Sequence, residues 1–192
     1  GKVTRAGGAM EGITRADLAQ LMVGREVVFT IEKKLAEPGE VVLSVEGLEA
    51  NNDRGLKALN GVDLNVRKGE IVGLAGVAGN GQTELARAIF GLTPITNGQL
   101  FLNGENMTRH SIKKKIKGGI SLIPEDRTHV GTAPNLSMTD NVIMKNYQEE
   151  PIGKGMMIDH DAAGEYASDL KSSFDIAVPT VNTSVRLLSG GN

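Results

Sequence analysis

The glycine-rich segment 76–83 has the residue types of a phosphate-binding loop. It reads Gly76, Val77, Ala78, Gly79, Asn80, Gly81, Gln82 and Thr83. In the pattern G-x-x-x-x-G-K-[ST], the glycines let backbone N–H groups surround a phosphate, the lysine neutralises the β- and γ-phosphates, and the hydroxyl binds magnesium. Gly76, Gly81 and Thr83 fit this pattern, whereas Gln82 replaces the lysine. The segment therefore predicts a nucleotide cradle that has lost its main positive charge.

Glu84 adds a second charge change to this cradle. It stands in the first helical turn, where many such loops carry a small hydroxyl near the α-phosphate. Compared with Lys-Thr-Thr over residues 82–84, Gln82 and Glu84 together make the pocket two charges more negative. One charge-assisted hydrogen bond contributes about 1.5–3 kcal/mol, so losing the lysine alone is expected to weaken binding by about tenfold to over a hundredfold. We expect a weakened, non-hydrolytic nucleotide site, with Thr83 as its candidate magnesium ligand. The alternative is a glycine-rich turn that binds nothing.

The residues around the loop indicate a strand before it and a helix after it. The apolar run 71–75 is typical of a buried parallel strand. After the loop, apolar residues recur at helical spacing and Gly91 is a stop signal. The recurring residues are Leu85, Ala88, Ile89 and Leu92. Strand, glycine-rich loop and helix form the context that the motif requires.

The last five residues carry a second candidate phosphate-binding group. They are Leu188, Ser189, Gly190, Gly191 and Asn192. The serine and the two glycine amides can bind a γ-phosphate if they begin a helix. This segment resembles the LSGGQ signature of ABC-type ATPases, with Asn192 in the final place. In that family, the signature contacts the nucleotide held by the opposite half of a dimer.

Three further segments are similar to landmarks of the same family. Residues 58–71 resemble the hairpin that leads into the phosphate loop. Residues 120–127 resemble the Q-loop strand, with Glu125 where glutamine usually stands, and a carboxylate there can still coordinate magnesium. Asp53 takes the place of the aromatic residue that usually stacks on adenine. The resemblance therefore implies a second loss of nucleotide contacts.

Taken together, the chain resembles the second half of a fused, two-cassette ATPase of bacterial importers of simple sugars and nucleosides, over nearly its whole length. Residues 14–26 are similar to the junction at which the first cassette ends. The sequence of residues 79–84 is more similar to that of the nucleoside importers than to that of the sugar importers. The resemblance implies an α/β fold: an ABC-type P-loop ATPase domain with an antiparallel β layer, an incomplete parallel α/β core and a helical subdomain.

The chain divides into three parts on this interpretation. Residues 1–40 are the tail of the preceding cassette and a linker, with the linker over 27–40. Residues 41–134 form the β layer and the partial P-loop core, in which 41–45 and 62–66 are strands and 103–104 is a hairpin turn. Residues 135–192 form the helical subdomain that ends in the signature, with helices over 138–145 and 161–174.

The resemblance also implies a role and a set of partners. The Walker B strand, its catalytic glutamate and the switch histidine normally follow the signature, so we expect no catalytic residue in this chain and no ATP turnover by it alone. ATP and magnesium are expected to bind weakly or not at all in this half. The implied partners are the first cassette of the same polypeptide, transmembrane permease subunits and, indirectly, a substrate-binding protein. The implied location is the cytoplasmic face of the bacterial membrane. Without the Walker B strand, we expect exposed sheet surface and self-association.

Composition excludes several other classes. A net charge of −2 and an aromatic content of 3% give no footprint for nucleic acid. There is no cysteine to form disulfides or thiolate metal sites, and the three histidines show no metal-ligand spacing. The lysine-rich run 113–117 is interpreted as the solvated face of a short helix over 112–117, which a strand over 120–123 follows.

Three other functions rival that of a nucleotide cassette. Gly76, Gly79 and Gly81 fit a dinucleotide-binding turn with Glu105 as the acid on a ribose, but Thr83 and the closing Leu-Ser-Gly-Gly then have no role. A GTPase is disfavoured because no Asn-Lys-x-Asp segment occurs. A non-catalytic dimerisation and coupling module, which binds no nucleotide and acts through its signature and helical lobe, remains open.

Overall fold

The computed structural model describes residue 7 and residues 12–23 and 37–189 of the chain. Most of the linker predicted over 27–40 lies outside these residues. The described helices are α1 (Arg15–Val23), α2 (Gln82–Phe90), α3 (Ile112–Lys117), α4 (Met138–Ile143) and α5 (His160–Ser173), with a 3₁₀ turn at Val185–Leu187. The described strands are β1 (Val41–Asn51), β2 (Lys57–Arg67), β3 (Ile95–Leu102), β4 (Glu105–Asn106), β5 (Gly153–Lys154) and β6 (Met157–Ile158).

The main sheet is the antiparallel layer that the sequence predicted. Its strand order is β2-β1-β3-β4, and Val45 of β1 lies opposite Leu64 of β2 and Leu100 of β3. Val45 and Leu100 are buried in the main hydrophobic core, which also takes Leu85 and Ala88 from α2. The sheet therefore provides the surface on which the helix after the glycine-rich loop rests.

The hairpin predicted at Asn103–Gly104 is confirmed between β3 and β4. Both residues have positive φ, at 49° for Asn103 and 79° for Gly104. A two-residue type I′ turn requires this conformation at both central positions, and Asn-Gly is the pair that adopts it most readily.

The predicted strands over 71–75 and 120–123 are wrong for the described structure, which has irregular extended chain in both places. Ile71 is 88% exposed, Leu74 is 56% exposed and Ile123 is 85% exposed. A parallel strand is stable when neighbouring strands accept its hydrogen bonds and helices cover its faces. Every strand pair in the described residues is antiparallel, so neither segment has a partner there. The self-association expected from uncovered sheet surface stays a prediction.

The helical lobe follows the sequence signals, with shifted bounds. Ser137 begins α4 with a capping box, in which its hydroxyl accepts from the Asp140 N–H while the Asp140 carboxylate accepts from the Ser137 N–H. That helix ends at Ile143 rather than at the predicted residue 145. The helix predicted to begin at Asp161 begins at His160, because Asp159 is the N-cap and accepts from the N–H groups of residues 161 and 162.

Helix α3 has the predicted bounds, and Ser111 is its N-cap. The interpretation of its lysine run as a solvated face is wrong for Lys115, which is 1% exposed. Lys113, Lys114 and Lys117 are exposed as predicted. A helical period of 3.6 residues turns one position of such a run inward whatever its charge.

Candidate nucleotide site

The glycine-rich loop meets α2 at Gly81, and no other residue type fits there without strain. Gly81 is the N-cap of α2 in the left-handed conformation, with φ at 97°. A Cβ atom added to it would lie 2.9 Å from the Ala58 carbonyl oxygen and 3.2 Å from Leu59 Cδ2. The Leu85 N–H donates to the Gly81 carbonyl at 2.8 Å and forms the first helical bond. Close packing on β2 thus fixes the point at which the helix begins.

The rest of the loop is an exposed turn. Gly79 has φ at 90°, and the Asn80 N–H donates to the Val77 carbonyl at 3.2 Å. Val77 is 75% exposed. The first N–H groups of a helix have no partner within the helix and carry its partial positive charge, so the start of α2 is a suitable place for an anion.

Gln82 folds back across the loop. Its Nε2 atom donates to the Val77 carbonyl oxygen at 3.4 Å. The same amide lies so close to Gly76 that any Cβ atom at this position would collide with it. The glutamine side chain therefore links the two ends of the loop through a neutral donor, at the position where the usual motif has a lysine.

Thr83 and Glu84 occupy the first turn of α2. Thr83 is exposed, and Glu84 is half-buried. A carboxylate in this turn stabilises the helix through the macrodipole, but it repels a phosphate that would use the same end. The described structure thus has one hydroxyl and one carboxylate at the place where the usual motif has a cation and two hydroxyls.

Asp53 contacts the helix of the loop. Its carboxylate accepts from Arg87 on α2, at 3.3 Å from Nη1 to Oδ2 and 3.4 Å from Nη2 to Oδ1. Asp53 is mostly exposed, so this fork-shaped pair contributes little to stability. The ion pair places charged groups at the position where the resemblance implies an aromatic ring that stacks on adenine.

Glu125 lies at an exposed turn that is closed by the residue after it. The Asp126 carboxylate accepts from the N–H groups of Thr128 at 3.1 Å and His129 at 2.9 Å, and it lies 2.9 Å from His129 Nδ1. These hydrogen bonds, led by the one from the His129 backbone, lower the pKa of Asp126. Glu125 itself is exposed, so its carboxylate is accessible to a ligand.

Residues 184–186, which precede the signature, are hydrogen-bonded to residues 134–136, where the helical lobe begins. The Ser184 hydroxyl and the Arg186 N–H both donate to the Pro134 carbonyl at 2.8 Å, and the Val185 N–H donates to the Leu136 carbonyl at 3.0 Å. The 3₁₀ turn at Val185–Leu187 follows at once. Two segments that are about 50 residues apart in the chain therefore share one short backbone ladder.

Leu188 and Ser189 are the last predicted site residues that the structure describes. They line a cavity of about 380 Å³ together with Pro124 and Arg127 of the segment that carries Glu125. Residues 190–192 of the predicted signature lie outside the described residues. The structure thus places the Glu125 segment and the start of the signature beside one another.

Sequence reasoning missed two residues near the site. No local pattern indicates Arg87, because its pairing with Asp53 spans 34 positions in sequence. The lysine run predicts that Lys115 faces solvent, whereas its Nζ donates to backbone carbonyls of α2. A helical wheel of α3 with Ile112 and Ile116 on one face carries a signal for the burial of its neighbour Lys115.

The fold and the loop define a nucleotide-binding domain, and the chain belongs to the ABC transporter family. The model of that family, described as ABC transporter, matches residues 59–192. The match begins on β2 and includes the glycine-rich loop, the Glu125 segment and the closing residues. The ABC-type fold class predicted from the sequence is confirmed.

Curated relatives are named for the import of sugars and nucleosides. The chain is 43% identical over 182 residues to a glucose import ATP-binding protein of Haloferax volcanii, covering 94% of this chain and 33% of that protein. It is 37% identical over 179 residues to a nucleoside import ATP-binding protein of Lactococcus lactis, covering 93% of this chain and 35% of that protein. A guanosine import ATP-binding protein of Bacillus subtilis is 37% identical over 176 residues, covering 92% of this chain and 34% of that protein. The chain spans about a third of the length of these relatives.

Solved structures agree with the fold. A nucleotide-free ATP-binding cassette from an ABC transporter matches with a TM-score of 0.59 and 18% identity, over 79% of this chain and 60% of that one. A dimeric cassette in a post-hydrolysis state, bound to ADP and phosphate, matches with a TM-score of 0.61 and 18% identity, over 77% of this chain and 63% of that one. In the described part of the chain, no helix has the length and apolar character needed to cross a bilayer.

Proposed function

We propose that this chain is the degenerate second nucleotide-binding half of a two-cassette ABC importer ATPase. The observation that carries the proposal is Gln82, a neutral residue that links the ends of the loop where the usual motif has a lysine. Because Glu84 adds a negative charge to the same helical turn, the β- and γ-phosphates that the lysine would neutralise have little positive compensation in this half.

The useful contribution of this half is then its signature. Residues 188–192 close over ATP held by the first cassette of the same polypeptide, and the Ser189 hydroxyl and the amides of residues 190 and 191 contact its γ-phosphate. The relatives, which are about three times as long as this chain, support a polypeptide with room for that first cassette.

The cofactors of this half are ATP and magnesium, held weakly. The N–H groups at the start of α2 bind phosphate, and the Thr83 hydroxyl and the Glu125 carboxylate are the oxygens that would coordinate magnesium. Magnesium would neutralise phosphate charge when it is bound. Both residues are exposed, so the donor set fits a hydrated metal with few protein ligands.

The solute is a nucleoside or a simple sugar, and the partners are permease subunits at the cytoplasmic face of the membrane. Both solute classes are supported by the relatives, which are import proteins for glucose, nucleosides and guanosine. The loop over 127–135, which follows Glu125 and is exposed at residues 127–131, is the segment we assign to contact with a permease. A substrate-binding protein would act on this chain only through the permease.

The test is a ranking of ATPase activities in the complete polypeptide with its permease. Ser189→Arg places a long cation in the signature and is expected to abolish hydrolysis, whereas Gln82→Ala is expected to change it little. Ser173→Arg, the same substitution at an exposed position at the end of α5, is the matched control and should keep full activity. If Gln82→Ala abolishes hydrolysis and Ser189→Arg spares it, the assignment of roles is wrong.

A further inference from the structure

Lys115 is a buried ammonium group that touches the far end of the loop helix. It lies on α3 and is 1% exposed. Its Nζ atom donates to the carbonyl oxygens of Ile89 at 3.1 Å and Ala88 at 3.4 Å, in the last turn of α2. A Cβ atom added to Gly91, the C-cap of α2, would lie 3.3 Å from the same Nζ atom. Lysine and helix end are therefore packed without a gap.

No carboxylate among the described residues forms an ion pair with Lys115 within 4.0 Å. Burial lowers the pKa of Lys115, which is the expected effect of moving a charge away from water. A buried cation without a carboxylate is costly, and the partial negative charge at the C-terminal end of a helix is its remaining compensation here. The Lys115 ammonium group therefore acts on the carbonyl end of α2 rather than on a carboxylate of the described residues.

The position of Lys115 connects two parts of the candidate site. Helix α2 is nine residues, or about 14 Å, long, so a shift of its C-terminal end tilts the loop at its other end. On the other side, the Ile120 N–H donates to the Lys115 carbonyl at 3.1 Å, and residues 120–125 lead directly to Glu125. Lys115 thus joins the helix behind the loop to the segment that carries the candidate magnesium ligand.

We propose that Lys115 is a positioning residue for the glycine-rich loop. By donating hydrogen bonds to the carbonyl end of α2, its ammonium group fixes the axis of that helix relative to α3. It thereby sets the position of the loop relative to Glu125. This role rests on the proposed function in one respect only, namely that the start of α2 is the nucleotide end.

Hydrogen exchange in the complete polypeptide, without nucleotide, tests the role directly. Lys115→Met keeps the length of the side chain and removes the charge. Exchange over residues 77–85, read at the hydrogen-bonded amides of Asn80 and Leu85, is expected to rise at least about tenfold relative to exchange over β1, because both hydrogen bonds from Nζ to the end of α2 are lost. Lys115→Gln, which retains a donor, serves as the second variant if Lys115→Met does not fold, and a rise of severalfold is expected.

Two controls separate positioning from general stability. Lys114→Met removes a neighbouring exposed lysine that pairs with Glu105 at 3.0 Å, and should leave exchange over 77–85 unchanged. Val45→Ala weakens the core from the sheet side and should raise exchange over 77–85 and over β1 together. The positioning role is refuted if both Lys115 variants raise exchange over 77–85 and over β1 in the same proportion, or leave exchange over 77–85 unchanged. Because no nucleotide is used, this result is independent of the ATPase ranking that tests the proposed function.

Discussion

Restoring the lysine of the loop is expected to restore nucleotide affinity. The Gln82 amide lies 3.4 Å from the Val77 carbonyl oxygen and is half-buried, so a lysine at this position can extend to the phosphate side of the same loop. A unit charge pair at 4 Å in partly buried surroundings interacts by about 4 kcal/mol before desolvation, and a charge-assisted hydrogen bond contributes about 1.5–3 kcal/mol net. Gln82→Lys should therefore tighten ADP binding by about tenfold to a hundredfold, with the carboxylate of Glu84 acting against the gain.

The assay is a fluorescence titration of this chain with a labelled ADP, after circular dichroism shows that each variant keeps its helix content. Gln99→Lys is the matched control, because it makes the same change at an exposed position on β3. The gain from Gln82→Lys should shrink as salt is raised, because an electrostatic contribution is screened. Equal affinities for wild type and Gln82→Lys would refute the view that missing positive charge is what weakens this cradle.

Two further substitutions test the local structure. Gly81→Ala should destabilise the domain by about 1–3 kcal/mol in urea unfolding, because φ is 97° and a Cβ would press on the Ala58 carbonyl. The control is Gly73→Ala, where a Cβ would meet no atom within 4 Å and stability should change by less than about 0.5 kcal/mol. Equal losses of stability in the two variants would contradict this reason. The hydrogen bond from Lys154 is the main cause that lowers the pKa of Asp159 below its ordinary value, so its ionised form stabilises the lobe at pH values well above that ordinary value and loses this effect as the pH falls through the folded-state pKa. Asp159→Asn keeps the capping oxygen and should flatten the acid side of a circular dichroism titration, and an unchanged acid slope would count against that cause.

Sequence reasoning succeeded where the signal and its structural partner are neighbours in the chain. Gly91 ends α2 as the sequence predicts, because its N–H donates to the Arg87 carbonyl within the last turn of the same helix. The Asn103–Gly104 turn likewise depends only on its own backbone conformation.

It failed where the outcome depends on a distant partner. The apolar run 71–75 predicts burial, but burial also needs strands beside it, and the described residues supply none. Lys115 is buried because the carbonyl end of α2 accepts its hydrogen bonds, and the pairing of Asp53 with Arg87 joins positions 34 apart. For the candidate site, the loop and Glu125 could be selected from residue types, whereas the neutral link from Gln82 to the loop backbone required coordinates.

The backbone ladder between Pro134 and Ser184 has a mechanical consequence. Two donors share the Pro134 carbonyl, and the Val185 N–H donates to the Leu136 carbonyl. As long as these hydrogen bonds hold, residues 134–136 and residues 184–186, just ahead of Ser189, move together. On the function proposed above, a push on the loop before Pro134 would move Leu188 and Ser189, the described start of the signature, together with the helical lobe.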